Sequence, residues 1–137
     1  GVENREATLR YVAAGPLLGP GYANVELKSS DAAGNPYLVI ASVISAGLDG
    51  IRRELVLPEP VDVEPSTLSA STREAKGISL LPTNIAEGLK ALNSNDAVRE
   101  AIWPETLEAY TALRESEASW AQGKTPEEII AGQLWRY

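Results

Sequence analysis

The chain changes its hydrophobic rhythm near residue 35. In residues 22–28, Tyr22, Asn24, Glu26 and Lys28 alternate with Ala23, Val25 and Leu27, the period-two signature of a strand with one polar and one apolar face. Asn24, Glu26 and Lys28 therefore share one face. A second short extended segment, residues 8–13, precedes a turn punctuated by Gly15-Pro16 and Gly19-Pro20-Gly21. Beyond it the spacing becomes helical. Asn35 is a good cap, Pro36 suits the first helical position, and Tyr37, Ile40, Ala41, Ile44, Leu48, Ile51 and Leu55 recur at helical intervals. Val39, Ser42, Val43, Ser45, Ala46 and Gly47 fill the other positions. A helix apolar almost all round is expected to be buried and to anchor the core, with Pro58 and Pro60 stopping it.

Residues 61–81 show no clear period and read as an extended surface connection. Further helices then begin at recognisable caps. Asn84 with Glu87 makes a capping-box pattern ahead of Leu89 and Leu92. Ser94 or Asn95 caps a short helix carrying Val98 and Ile102, and Pro104 opens a longer one through Leu107, Tyr110, Leu113 and Trp120. Thr125-Pro126-Glu127-Glu128 is another capping box, before Ile129, Ile130, Leu134 and Trp135. The expected class is α+β, with short antiparallel strands at the start and mainly helical structure after them.

Composition narrows the chemistry. The 137 residues are 44% apolar and 23% charged, ordinary for a globular chain. There is no His, which removes Ser–His–Asp and Cys–His nucleophiles and imidazole metal ligands. There is no Cys, which removes disulfides and thiolate sites and fits a reducing compartment. A metal held by this chain would need carboxylate oxygens, hence a hard cation such as Mg2+ or Mn2+. Nineteen acidic against twelve basic residues give a net charge of −7, which argues against nucleic acid or an anionic membrane as partner. The longest apolar stretch, residues 37–48, is too short to span a bilayer. With no Met and Gly1 in first place, the chain reads as a fragment or a processed product.

Glu26 and Lys28 on one strand face, with Asp31 just past it and Arg5 and Arg10 on the preceding segment, place a carboxylate among fixed cations. Such a set can hold a divalent ion while the cations grip phosphate or carboxylate oxygens. The plain alternative is a solvated strand face with ordinary surface charges. The 15–21 turn lacks the order of a phosphate-binding loop. Trp103, Trp120 and Trp135 read as core or interface residues rather than a ligand cage.

The run Glu3-Asn4-Arg5-Glu6-Ala7-Thr8-Leu9-Arg10 resembles the Asn-Arg…Arg element of glutamine synthetases. Val25-Glu26-Leu27-Lys28, Asp31, Asn35-Pro36-Tyr37-Leu38 and Ala46-Gly47-Leu48-Asp49-Gly50-Ile51 are similar to the strand, turn and helix that follow it in that family. Leu81-Pro82-Thr83 with Ala86-Glu87-Gly88-Leu89, and Tyr110-Thr111-Ala112-Leu113-Arg114, resemble later family segments in the same order. The resemblance covers nearly the whole chain and implies that residues 1–137 are the C-terminal portion of a glutamine synthetase catalytic domain. The wording is most similar to the glutamine-synthetase-like half of fungal FluG conidiation proteins and plant nodulin-type relatives.

The resemblance implies roles residue by residue. Glu26 would be a divalent-metal ligand, and Arg5 and Arg10 catalytic cations on the transferred phosphoryl group and nucleotide phosphates. Lys28 stands where the family binds the substrate α-carboxylate with an arginine, so the charge stays and the bidentate fork is lost. Asn24 replaces an arginine on the nucleotide side. The implied activity is ligation of glutamate to ammonia or an amine, driven by ATP through a γ-glutamyl phosphate with Mg2+ or Mn2+, in a cytoplasmic homo-oligomer. The isolated piece is expected to be inactive. A competing reading is a signalling protein that kept the fold and lost normal catalysis. The 84–137 region is expected either to pack on its own subunit or to serve oligomerisation.

Overall fold

The computed structural model describes residues 1–16 and 19–135; the 15–21 turn thus lies partly outside the described residues. Among the described residues two strands, β1 (Leu9–Val12) and β2 (Asn24–Leu27), are followed by six α-helices: α1 (Pro36–Arg52), α2 (Ala70–Ala75), α3 (Ile85–Asn93), α4 (Asp96–Arg99), α5 (Pro104–Ala121) and α6 (Pro126–Gln133). The class is α+β, as the sequence pattern predicts. The chain divides into two compact units, one of Gly1–Ala32 with Val56–Leu80, the other of Ala33–Leu55 with Leu81–Tyr137.

In the first unit β1 and β2 pair antiparallel, with Leu9 opposite Leu27, Arg10 opposite Glu26, Tyr11 opposite Val25 and Val12 opposite Asn24. Successive side chains alternate faces, so Arg10, Val12, Asn24 and Glu26 lie on one face and Leu9, Tyr11, Val25 and Leu27 on the other. Coverage runs against the usual order. Arg10, Val12 and Glu26 are half-buried, while the apolar face is exposed, from Leu27 at 37% to Val25 at 59%. A two-stranded ribbon has no second layer of its own to lay on that face. Residues 1–3 run beside β1: Tyr11 N–H donates to Gly1 O at 3.0 Å and Glu3 N–H to Tyr11 O at 2.9 Å, with Val2 bridging Tyr11 in parallel. Asn4 fastens this edge, its Nδ2 donating to Val61 O at 2.6 Å and Val63 O at 3.1 Å.

The 61–81 connection is not wholly extended. It contains a 3-10 turn, Pro65–Thr67, and the short helix α2. Ser69 caps α2, its Oγ accepting from Thr72 N at 3.1 Å, and Gly77 closes it at φ 66°. Six residues with no large apolar side chain leave no periodicity to read, so these end signals stand alone.

In the second unit the helix starts follow their caps. Asn35 Oδ1 accepts from Tyr37 N at 3.0 Å and Leu38 N at 3.3 Å, with Pro36 in the first turn. Asn95, rather than Ser94, caps α4 by accepting from Val98 N at 3.1 Å, and Ile102 lies beyond that helix. Thr125 and Glu128 make the full reciprocal box, 3.3 Å to Glu128 N and 2.8 Å from Thr125 N.

Two expectations about α1 are corrected. It ends at Arg52, well before Pro58, in a Schellman-type close: Glu54 N–H donates to Ile51 O at 3.1 Å and Leu55 N–H to Gly50 O at 2.9 Å. That close places Glu54 at φ 51°, the left-handed region that glycine usually fills. Glu54→Gly is therefore expected to stabilise the whole protein by about 1 kcal/mol, seen as a higher urea midpoint at unchanged slope. Nor is α1 buried. Tyr37 is 82% and Ile51 75% exposed, and Ile40, Val43, Ile44 and Leu48 are exposed too. Its partner is α4, a single turn, where Ser45 Oγ donates to Ala97 O. One turn cannot cover seventeen residues that are apolar on every side.

Among the described residues, only Ala7 and Glu117 are buried. Glu117 sits on α5, which packs on α3; its carboxylate meets Arg114 at 2.9 Å, and the Arg114 guanidinium lies 5.6 Å from the Tyr110 ring centroid. Trp120 is half-buried, with Lys124 Nζ 4.9 Å from its ring and Gly132 of α6 leaving room for the indole. Trp103 and Trp135, expected in a core or interface, are uncovered in these residues, as are Ile130 and Leu134.

The α3 cap departs from a standard box. Asn84 Oδ1 accepts from Glu87 N at 2.9 Å, but Glu87 Oε2 reaches Thr83, taking its N–H at 2.8 Å and its hydroxyl at 3.1 Å. The Thr83 backbone hydrogen bond, helped by the hydroxyl, holds the Glu87 carboxyl below its ordinary 4.5. A carboxyl depressed in the folded state adds stability that is present above its unfolded value and lost as pH falls through the folded one. The urea midpoint of Glu87→Gln should therefore lie below that of the wild type at pH 7, and the gap should close as pH drops below about 4.5.

Candidate functional site

Antiparallel register does the first work at the site. Because Arg10 stands opposite Glu26, two side chains sixteen residues apart meet on one face. Arg10 Nη1 donates to Glu26 Oε1 and Oε2, both at 3.2 Å. Lys28, one residue past the end of β2 and two from Glu26, brings its Nζ to Glu26 Oε2 at 3.0 Å. The Lys28 hydrogen bond, followed by that of Arg10, holds the Glu26 carboxyl below the usual carboxylate range. Glu26 in turn raises the Arg10 pKa, so both stay charged at neutral pH.

Sequence reasoning missed a member of this cluster. Glu3 Oε2 accepts from Arg10 Nη2 at 3.0 Å, while Glu3 Oε1 accepts from Ala13 N at 2.7 Å. Glu3 lies alongside β1 through parallel pairing across a turn, which no local alternation announces. The guanidinium is thus held by two of its three nitrogens; Nε is buried without a hydrogen-bond partner among the described residues. Arg10 is the covered member, its side chain 14% exposed against 40% for Glu26 and 39% for Lys28.

The other two expected residues are not brought into contact with the cluster. Arg5 is exposed in the turn before β1, and no ion pair joins it to Glu26 among the described residues. Asn24 shares the face of Glu26, but its Nδ2 donates to Tyr22 O at 3.2 Å.

Two carboxylates and two cations make a near-neutral cluster, not a strongly anionic cage. Among the described residues no group of three acidic, His or Cys side chains can hold a metal ion. A divalent cation needs six or more oxygens. Glu26 offers one carboxylate, already shared by two cations, so these residues do not by themselves fit such an ion. Two shallow open grooves lie elsewhere, one of about 830 Å³ between α3 and α5, and neither is lined by Glu26. No helix among the described residues is long and apolar enough to cross a membrane.

Comparison with known proteins follows the same residues. Gamma-glutamylpolyamine synthetase GlnA3 of Streptomyces coelicolor is 37% identical over 137 residues, 100% of this chain and 29% of that protein. A glutamine synthetase of Staphylococcus aureus strain MW2 is 40% identical over 78 residues, 57% of the chain and 18% of the relative. That of strain MRSA252 is 38% identical over 78 residues. The chain therefore spans less than a third of the length of the relatives it matches. Residues 1–130 match the family described as glutamine synthetase, catalytic domain. With the strand pair that joins Arg10 to Glu26 inside the matched region, the chain belongs to the glutamine synthetase catalytic-domain family.

Proposed function

We propose that the protein containing this chain is an ATP-dependent ligase that joins the γ-carboxyl of glutamate to an amine. The observation that carries the reading is the Arg10–Glu26–Lys28 cluster, built across two strands of a family catalytic domain. In the reaction, a glutamate γ-carboxylate oxygen attacks the γ-phosphorus of ATP, ADP leaves, and the amine then displaces phosphate from the γ-glutamyl phosphate. Such transfer depends on fixed charge around the phosphoryl group rather than on a covalent nucleophile, which suits a chain lacking His and Cys.

Arg10 orients Glu26 and supplies fixed positive charge beside it. Arg5, exposed and without an ion pair to Glu26, is free to turn toward nucleotide phosphate. Lys28 is the cation for the amino-acid carboxylate, and Asn24 lines the same face. Glu26 is the carboxylate of this cluster that would contribute to Mg2+ or Mn2+, and because no group of three such ligands exists among the described residues, it would need ligands from elsewhere in the protein. The amine class favoured is a polyamine, because the relative aligned over the whole chain is named a gamma-glutamylpolyamine synthetase. Ammonia is the alternative that the Staphylococcus relatives' names suggest.

A regulator without turnover is the second reading. Its support is the lysine that binds Glu26 at 3.0 Å instead of a forked arginine, and Asn24 bonded to Tyr22. The deciding experiment supplies the whole protein with ATP, magnesium, glutamate and either ammonia, a diamine or a triamine, and follows phosphate release. Release requiring both glutamate and a polyamine is the expected result. Release with ammonia alone replaces the polyamine assignment, and no release with any amine favours the regulator.

A further inference from the structure

We infer that Glu3 is a positioning residue of the ligase site, acting through Arg10. Arg10 is the covered cation of the cluster, and what fixes its fork is a pair of carboxylates on opposite sides: Nη1 on Glu26 at 3.2 Å, Nη2 on Glu3 at 3.0 Å. With Nε unpartnered, removing Glu3 leaves the guanidinium anchored through Nη1 alone. A single anchor fixes a point but not the plane, whereas two anchors fix the plane that a carboxylate or phosphate reads.

Glu3 is itself held. Its second oxygen takes the Ala13 N–H at 2.7 Å at the end of β1, its own N–H bonds Tyr11 O at 2.9 Å, and its backbone sits at φ 53°. The carboxylate therefore performs two separable tasks: Oε1 latches the strand end and Oε2 aims Arg10. Glu3 also offsets the charge of Arg10, so that the Glu26 carboxylate is not opposed by two uncompensated cations.

This inference rests on the ligase reading, and the test separates the two. Glu3→Gln in the whole protein retains a carbonyl oxygen for the Ala13 N–H but no longer offers a carboxylate to Arg10. The expected result is a fall of about tenfold in kcat/KM for glutamate with an unchanged melting midpoint. In an Arg10→Ala background the same substitution should change kcat/KM less than twofold, because the group it acts through is gone. Glu3→Gln with wild-type kcat/KM, or an equal loss on both backgrounds, overturns the inference. If the wild-type protein shows no turnover, the ligase reading fails, and crystal structures test the positioning alone. A guanidinium displaced from Glu26 in Glu3→Gln supports it, and an unmoved one overturns it.

Discussion

Replacing Glu26 by Ala in the whole protein should lower glutamate-dependent phosphate release by about 10²–10³-fold, the scale of losing one preorganised electrostatic group at a transferring centre. The substitution does more than remove a carboxylate. Arg10 Nη1 loses both of its 3.2 Å partners on that side and Lys28 loses its 3.0 Å partner. Two cations then face each other on one strand face without the charge between them. Glu26→Gln keeps shape and one acceptor but no charge, so it should fall between wild type and Glu26→Ala. Phosphate release that is indifferent to both variants would remove Glu26 from the chemistry. Because Glu26 is 40% exposed, the loss in turnover should far exceed any lowering of the urea midpoint.

The largest stability effect is expected far along the chain, at Arg114→Ala. Glu117 is a buried charge, its side chain 8% exposed, and Arg114 binds it at 2.9 Å one turn away on α5. Taking one partner from a buried pair leaves the other less compensated, a loss that typically costs up to about 3–5 kcal/mol. Arg114 is itself 29% exposed, so water can follow the truncation and the lower figure, about 3 kcal/mol, is the expectation. Arg114→Lys keeps the charge but loses the guanidinium over the Tyr110 ring and should cost less. Glu117→Gln tests the same pair from the other side. Urea unfolding of the three variants checks the order. If Arg114→Ala is no worse than Arg114→Lys, the buried charge is not what Arg114 compensates.

What could be read from the residues alone followed from local rules. Asn35-Pro36, Asn95 and Thr125–Glu128 mark their helices because a cap satisfies backbone donors within four residues. The alternation through residues 22–28 put Asn24, Glu26 and Lys28 on one face, and the family motifs placed Arg10 near them. The remainder was not local. Glu3 joins the site through parallel pairing and a left-handed residue, and α2 is too short for a hydrophobic period. The arrest of α1 is a backbone motif that a glutamate occupies instead of glycine, so the nearest visible stop, Pro58, misled. The apolar runs of α1 and of the strand pair read as core because such surface is normally covered. Here the described residues offer α1 a one-turn helix and the ribbon no second layer, and both stay exposed.

The most direct test of the ligase account is to follow oxygen. Glutamate labelled with ¹⁸O in its γ-carboxylate is given to the whole protein with ATP, magnesium and a polyamine, and the released phosphate is weighed by mass spectrometry. If the carboxylate attacks the γ-phosphorus and the amine later breaks the bond from carbon to that oxygen, each phosphate released carries one ¹⁸O. Phosphate released at the same rate without label would mean that water, not glutamate, had taken the phosphoryl group.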